Sequence, residues 1–127
     1  MNIHLLRELQ NDPRLPTAEL ARRLRMSPPA VAERVARLRE AGVIAGYRLD
    51  LDPKALGLPV TAYIRVRPGP GQLSKVAELA QRTAEVVECH RITGEDCFLL
   101  KIHVAEVTLS EKILDRFLAY GQTTTSI

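Results

Sequence analysis

The chain has 127 residues, of which 46% are hydrophobic and 26% charged. That globular balance leaves room for one ordinary domain or two small ones, and two small lobes call for oligomerisation because small domains bury a low fraction of their surface. No stretch approaches the roughly 20 apolar residues of a spanning helix, and Met1 to Gln10 lacks the basic head and apolar run of a secretory signal, so a cytoplasmic protein with no membrane partner is expected. The net charge is only +3, but residues 1–50 hold nine Arg against six Asp and Glu, whereas residues 51–127 balance nine with nine. From Arg22 to Arg39, six Arg face the single acid Glu33. A basic stripe confined to one short segment is the footprint of a phosphate-binding surface and points to nucleic acid.

In NIHLLRELQNDP, Ile3, Leu6 and Leu9 recur at three-residue steps with Leu5 beside them, which predicts an amphipathic helix closed by Asn11, Asp12 and Pro13. A second helix is expected from Thr17 as N-cap, with Glu19 in its first turn and Leu20, Ala21 and Leu24 as its buried stripe. The third has Ser27 as N-cap, Pro28 at the first helical position, Val31, Val35 and Leu38 at i, i+4 and i+7, and Gly42 as its stop. Only Arg25 and Met26 separate the second helix from that cap, the tight turn that a helix-turn-helix requires.

From Val43 the texture changes. VIAGYRLDL reads as a strand or small hairpin, and residues 52–58 as a turn-rich linker. Residues 59–127 then read strand, helix, strand, strand, helix, strand: VTAYIRVR, QLSKVAELAQRT, EVVECHRI, CFLLKIHV, LSEKILDRFLAY capped by Ser110, and GQTTTSI. Thr93-Gly94-Glu95-Asp96 is the loop of a hairpin. The fold class is therefore α+β, a winged helix-turn-helix of three helices over residues 1–51 followed by a ferredoxin-like βαββαβ domain with both helices on one sheet face. Because Val86, Val87, Phe98, Leu99 and Leu100 are apolar at successive positions, the other face is expected to be buried too, against a second copy.

In a helix-turn-helix the second helix of the motif enters the major groove of duplex DNA. With Val31, Val35 and Leu38 turned to the core, the opposite face of that helix carries Pro29, Ala30, Glu33, Arg34 and Arg37. Ser27 and the free amides at the helix start are expected to hold a phosphate. Arg34 and Arg37 either read guanine or hold backbone, while Arg22, Arg23 and Arg25 are assigned to phosphates.

The order and spacing of LLRELQNDPRLPTAELARRLRMSPPAVAERVARLREAGVIAGY resemble the DNA-binding half of the Lrp/AsnC (feast/famine) regulators, and VVECHRITGEDCFLLKIHV with YGQTTTSI resembles their effector half. The resemblance covers nearly the whole chain. It implies dimers formed through the effector sheets, often assembled into octamers, and amino acids as the usual small-molecule effectors. Carried over, the effector positions are Thr93, Gly94, Glu95 and Asp96 in the hairpin loop and Gln122, Thr123, Thr124, Thr125 and Ser126 in the last strand. Glu95 or Asp96 would meet an ammonium, and hydroxyls and backbone amides a carboxylate; a solvated loop beside an ordinary Thr-rich strand is the plainer alternative. Cys97 stands where many relatives have an acid. The chain stops at Ile127 inside the expected fourth strand, so either its ends are missing or the sheet edge is altered.

Cys89 and Cys97 lack C-x-x-C spacing and read as reduced thiols on strands, or as a bridge if they face each other across the hairpin. His90 and His103 on strands, His4 on the first helix, and Tyr47 and Tyr63 read as packing or rim residues. No catalytic triad, metal set or phosphate loop is present, so no cofactor, metal or enzymatic activity is expected. Two other readings stay open. One is a decarboxylase of sirohaem-type tetrapyrroles, as in relatives with this two-lobe build, for which His90 and His103 are the candidates; the other is an assembly module that no longer reads DNA.

Overall fold

The computed structural model describes residues 2–127 and divides the chain into two compact units, Met1–Asp50 and Leu51–Ile127. In the first unit, helices α1 (Ile3–Asn11), α2 (Thr17–Leu24) and α3 (Pro28–Glu40) follow the apolar spacing of the sequence. Leu5, Leu20, Ala21, Val31 and Leu38 are buried together, with Leu6, Leu9, Leu24, Met26 and Val35 packed around them. Five buried side chains make a small core, since each fully buried aliphatic group contributes only about 1.5–3 kcal/mol.

The turn between α2 and α3 is a Schellman closure. Arg25 sits in the left-handed region at φ 55, ψ 46. Its N–H donates to the Arg22 carbonyl, and the N–H of Met26 reaches back to Ala21 O at 2.9 Å. Those two bonds satisfy orphaned carbonyls at the end of α2, and the Met26 side chain plugs the core. Ser27 then caps α3 through its Oγ, which accepts the Ala30 N–H at 3.3 Å. Beyond Ala41, Gly42 at φ 77 turns the chain out of the helix.

Two features of this unit depart from the sequence reading. Thr17 is the first helical residue of α2 rather than its cap; extended Pro16 holds the N-cap position, and its carbonyl accepts the Leu20 N–H. Residues 43–51, read as a strand or hairpin, form no strand. The alternation of VIAGYRLDL is strand-like, but a strand exists only by pairing, and among the described residues this segment has no ladder partner.

In the second unit, Pro53 anchors the turns of residues 52–58: its carbonyl accepts the N–H groups of Leu56 and Leu58, and Asp52 accepts the Lys54 N–H. The rest is β1 (Val60–Pro68), α4 (Leu73–Arg82), β2 (Val86–Arg91), β3 (Phe98–Val104), α5 (Val107–Leu118) and β4 (Gly121–Ser126). The strands form one antiparallel sheet in the order β2-β3-β1-β4, the ferredoxin-like arrangement. Ala62, Ile64 and Val66 of β1 and Phe98, Leu100, Ile102 and Val104 of β3 face Val76, Ala80, Ile113 and Phe117 of the helices in an apolar core of eleven buried residues. Ser110 is buried inside α5 and donates to the Val107 carbonyl rather than capping the helix, which begins three residues earlier after Glu106.

The open sheet face does not carry the run of apolar side chains that the sequence reading gave it. Strands β1 and β3 alternate strictly, so this face shows Thr61, Tyr63, Arg65 and Arg67 of β1 and Leu99, Lys101 and His103 of β3, with Glu88 and His90 of β2 paired to Lys101 and Leu99. Of the successive apolar positions only Leu99 points this way, and Val87 lies in the bulge between Val86 and Glu88. The face is mixed and polar. Register also separates the thiols: Cys89 is opposite Leu100, not Cys97, and both are free. Burial pushes the Cys89 thiol up, against a smaller opposing pull from Arg91.

Candidate DNA interface and effector loop

On α3, Val31 and Leu38 are buried and Val35 is half-buried, so the face opposite them turns Pro29, Glu33 and Arg37 to solvent with Ala30 at its edge. Arg37 reaches back one turn to Glu33 at 2.6 Å, yet its side chain is 73% exposed and free to exchange that exposed partner for a stronger one. Arg34 is exposed on the flank, beside a small depression lined by Asn2, His4, Leu5, Leu24 and Met26. Arg39 turns the other way, its guanidinium 5.9 Å from the centre of the Tyr47 ring. Among the described residues, Arg25, Arg34 and Arg39 make no ion pair.

The basic stripe is less naked than the count from Arg22 to Arg39 implies. Glu19, just outside that window, takes Arg22 in a bidentate pair and also Arg23 at 3.1 Å, while Arg23 crosses to Glu8 of α1 at 2.8 Å. Hydrogen bonds from Arg22, then Arg23, hold the Glu19 carboxyl down at about 2. The hydrogen bond from Arg23 likewise lowers Glu8, and both guanidiniums are raised in turn. Arg23 therefore braces α2 against α1, while Arg22 pairs within α2. The i, i+3 and i, i+4 spacing from Glu19 was the available sequence signal; the pairing with Glu8 is tertiary and had none.

The start of α3 offers no free amide for a phosphate, contrary to the sequence reading. Pro28 and Pro29 have no N–H, the Ala30 N–H is held by Ser27 Oγ, and the Val31 N–H by the Ser27 carbonyl. Ser27 still has its hydroxyl proton to donate.

In the second unit, the hairpin loop from Ile92 to Cys97 is closed by the Ile92 N–H on the Cys97 carbonyl, with Gly94 at φ 104. Thr93, Gly94 and Glu95 are exposed, and Asp96 is half-buried. Both acids converge on Arg67 of β1: Nη2 lies 3.0 Å from Glu95 and Nε 3.3 Å from Asp96. Arg67 faces Gln122 across the β1/β4 ladder, and Arg65 faces Thr124. Sequence reasoning passed over Arg67, although the alternation of VTAYIRVRP already sets Arg65 and Arg67 on one face.

The last strand does not act as a block. Gln122, Thr124 and Ser126 share the open face with Arg65 and Arg67, but Thr123 and Thr125 sit opposite Val66 and Ile64, half-buried on the helix side. Side chains of those two threonines cannot reach the loop acids, because successive residues of a strand point to opposite faces. Elsewhere on the sheet, His90 binds Glu88 at 3.2 Å, Lys101 lies over the Tyr63 ring, and His103 shares a hydrogen bond with Thr61 at 2.9 Å. The hydrogen bond from His90 lowers the Glu88 carboxyl. Both histidines thus have ordinary structural partners.

A helix-turn-helix with an exposed, cation-bearing second helix, joined to a ferredoxin-like sheet with a charged loop, defines a DNA-binding regulator with a ligand-binding domain. Comparison with known proteins makes this specific. A model described as winged helix-turn-helix DNA-binding matches residues 2–45, and one described as Lrp/AsnC ligand binding domain matches residues 61–127. The HTH-type transcriptional regulator LrpC of Bacillus subtilis is 32% identical over 127 residues, covering 100% of this chain and 88% of the relative. The solved structure of LrpC superposes with a TM-score of 0.92 at 33% identity, covering 98% of this chain and 89% of that one. A complex of the Neisseria meningitidis transcriptional regulator NMB0573 with L-Met matches with a TM-score of 0.90 at 28% identity, covering 98% and 85%. The chain belongs to the Lrp/AsnC family of transcriptional regulators. No helix among the described residues is long and apolar enough to cross a membrane.

Proposed function

We propose that this chain is a cytoplasmic, sequence-specific regulator that binds duplex DNA through residues 1–51, is controlled by an amino acid bound within residues 59–127, and uses 52–58 as a connector. It works as a homo-oligomer, a dimer or an octamer, and catalyses no reaction. The observation that carries this reading is the outward face of α3: Pro29, Ala30, Glu33 and Arg37 stand opposite the buried Val31 and Leu38, with Arg34 on the flank. A helix so presented fits the major groove, where Arg37 and Arg34 meet base edges or phosphates. Arg25 in the turn and the Ser27 hydroxyl meet backbone, and Arg22 and Arg23 contribute only as far as they leave Glu19 and, for Arg23, Glu8.

The effector site is Thr93, Gly94, Glu95 and Asp96 with Gln122, Thr124 and Ser126 of the adjoining face. The amino-acid assignment is supported by the L-Met complex of the Neisseria regulator and by the presence here of both carboxylates and a guanidinium, the complements of a zwitterion. The test is selection of a duplex from a random-sequence pool, followed by affinity measurements over a salt series. Binding is expected to fall steeply with salt, by a log–log slope of about −0.9 per phosphate neutralised. Replacing Arg34 and Arg37 together by Ala is expected to abolish selectivity; selective binding that survives the double substitution refutes the assigned reading face.

A further inference from the structure

Arg67 has five N–H donors arranged as two forks. Nε donates to Asp96 Oδ1 at 3.3 Å, and Nη2 lies 3.0 Å from Glu95 Oε2 as an ion pair. Nη1 has no partner among the described residues, which leaves the end-on edge of the guanidinium open on that side, and the side chain is 46% exposed. An end-on fork is a bidentate seat for a planar carboxylate. Around it stand Gln122, directly across the ladder, and Arg65 two residues along the same face. The acids are not exhausted either: each uses one oxygen on Arg67, and the Glu95 side chain is 79% exposed.

We propose that Arg67 is the carboxylate-binding residue of the effector site and thereby restricts it to ligands with a free α-carboxylate. The α-carboxylate of the amino acid takes the end-on fork, while the free oxygens of Glu95 and Asp96 take its ammonium. Arg67 need not leave the acids. It holds the loop where they must stand, so the loop is pre-organised and the ligand inserts a pair of opposite charges beside an existing one. No net charge is stranded by either partner. This rests on the amino-acid reading of the site given above.

The experiment titrates the full-length protein with each of the twenty L-amino acids beside its carboxamide, following melting temperature and then affinity by calorimetry. For wild type, the amino acid that binds is expected to outcompete its amide by about 10- to 100-fold, the value of a charge-assisted bidentate contact. In Arg67→Gln this preference is expected to collapse to within about threefold, whereas the penalty for replacing the α-ammonium by hydroxyl persists through Glu95 and Asp96. Arg67→Lys, which keeps the charge but not the fork, is expected to fall between and serves if the Gln variant folds poorly. If none of the twenty binds wild type, the amino-acid reading fails and the proposal with it. If one binds and the carboxylate preference is undiminished in both variants, only the role of Arg67 is overturned.

Discussion

Arg25 is the one non-glycine residue at positive φ among the described residues, and it occupies the C′ position of a Schellman turn where glycine is the usual occupant. An L side chain in the left-handed region costs about 1–2 kcal/mol. Glycine there gives back that strain but adds unfolded-state freedom worth about 0.5–1 kcal/mol. Arg25→Gly should therefore stabilise the first unit by up to about 1.5 kcal/mol. The hydrogen bonds of the turn run through backbone N–H groups, so the substitution keeps them. Hydrogen exchange of the α2 and α3 amides reads this locally, without confusion from the second unit. On DNA the sign is opposite: removing an unpaired cation from the turn should weaken binding and reduce the salt slope by about 0.9. A stabilised protein that binds worse is the signature of strain kept for function. If Arg25→Gly lowers protection, the turn geometry is misjudged; if affinity and slope are unchanged, the guanidinium meets no phosphate.

Acid should loosen the first unit in a defined window. The Glu19 carboxyl is depressed to about 2 by its arginines, so its contribution is complete above the unfolded value near 4.5 and is lost as pH falls from there through about 2. Glu19→Gln should flatten that part of a pH-dependent unfolding profile, and an unchanged profile would count against the Glu19 pairing with Arg22 and Arg23. Gly121→Ala drives a Cβ into the Arg67 carbonyl oxygen, closer than any real contact allows. It should push β4 off β1 and cost more than 1 kcal/mol, visible as lost amide protection at Thr123 and Thr125, with effector binding weakened in parallel. Leu100→Ala empties a fully buried site in a central strand and should cost about 2–5 kcal/mol by denaturant unfolding, enough to threaten the fold of a small sheet.

What was legible in the sequence was whatever local chemistry decides. Ser27-Pro28 could be read as a helix start because cap and φ restriction act within three residues, and the βαββαβ order followed because period-2 and period-3.6 runs alternate cleanly. Errors fell where a neighbour in space had the deciding vote. Thr17 and Ser110 have the chemistry of caps, but a residue caps only if the chain enters the helix there; Pro16 and Glu106 were already extended. The segment after Gly42 has strand alternation with nothing to pair against. At the helix start, the same prolines that made the boundary easy to find remove the amides that a phosphate would need. The same division runs through the effector site: its loop was visible as Thr-Gly-Glu-Asp, but Arg67 lies 28 residues from Glu95 in the chain and meets it only because β1 is sandwiched between β3 and β4. That placement turns two surface acids into one half of a zwitterion's complement, and it is a property of strand order, which no window of sequence contains.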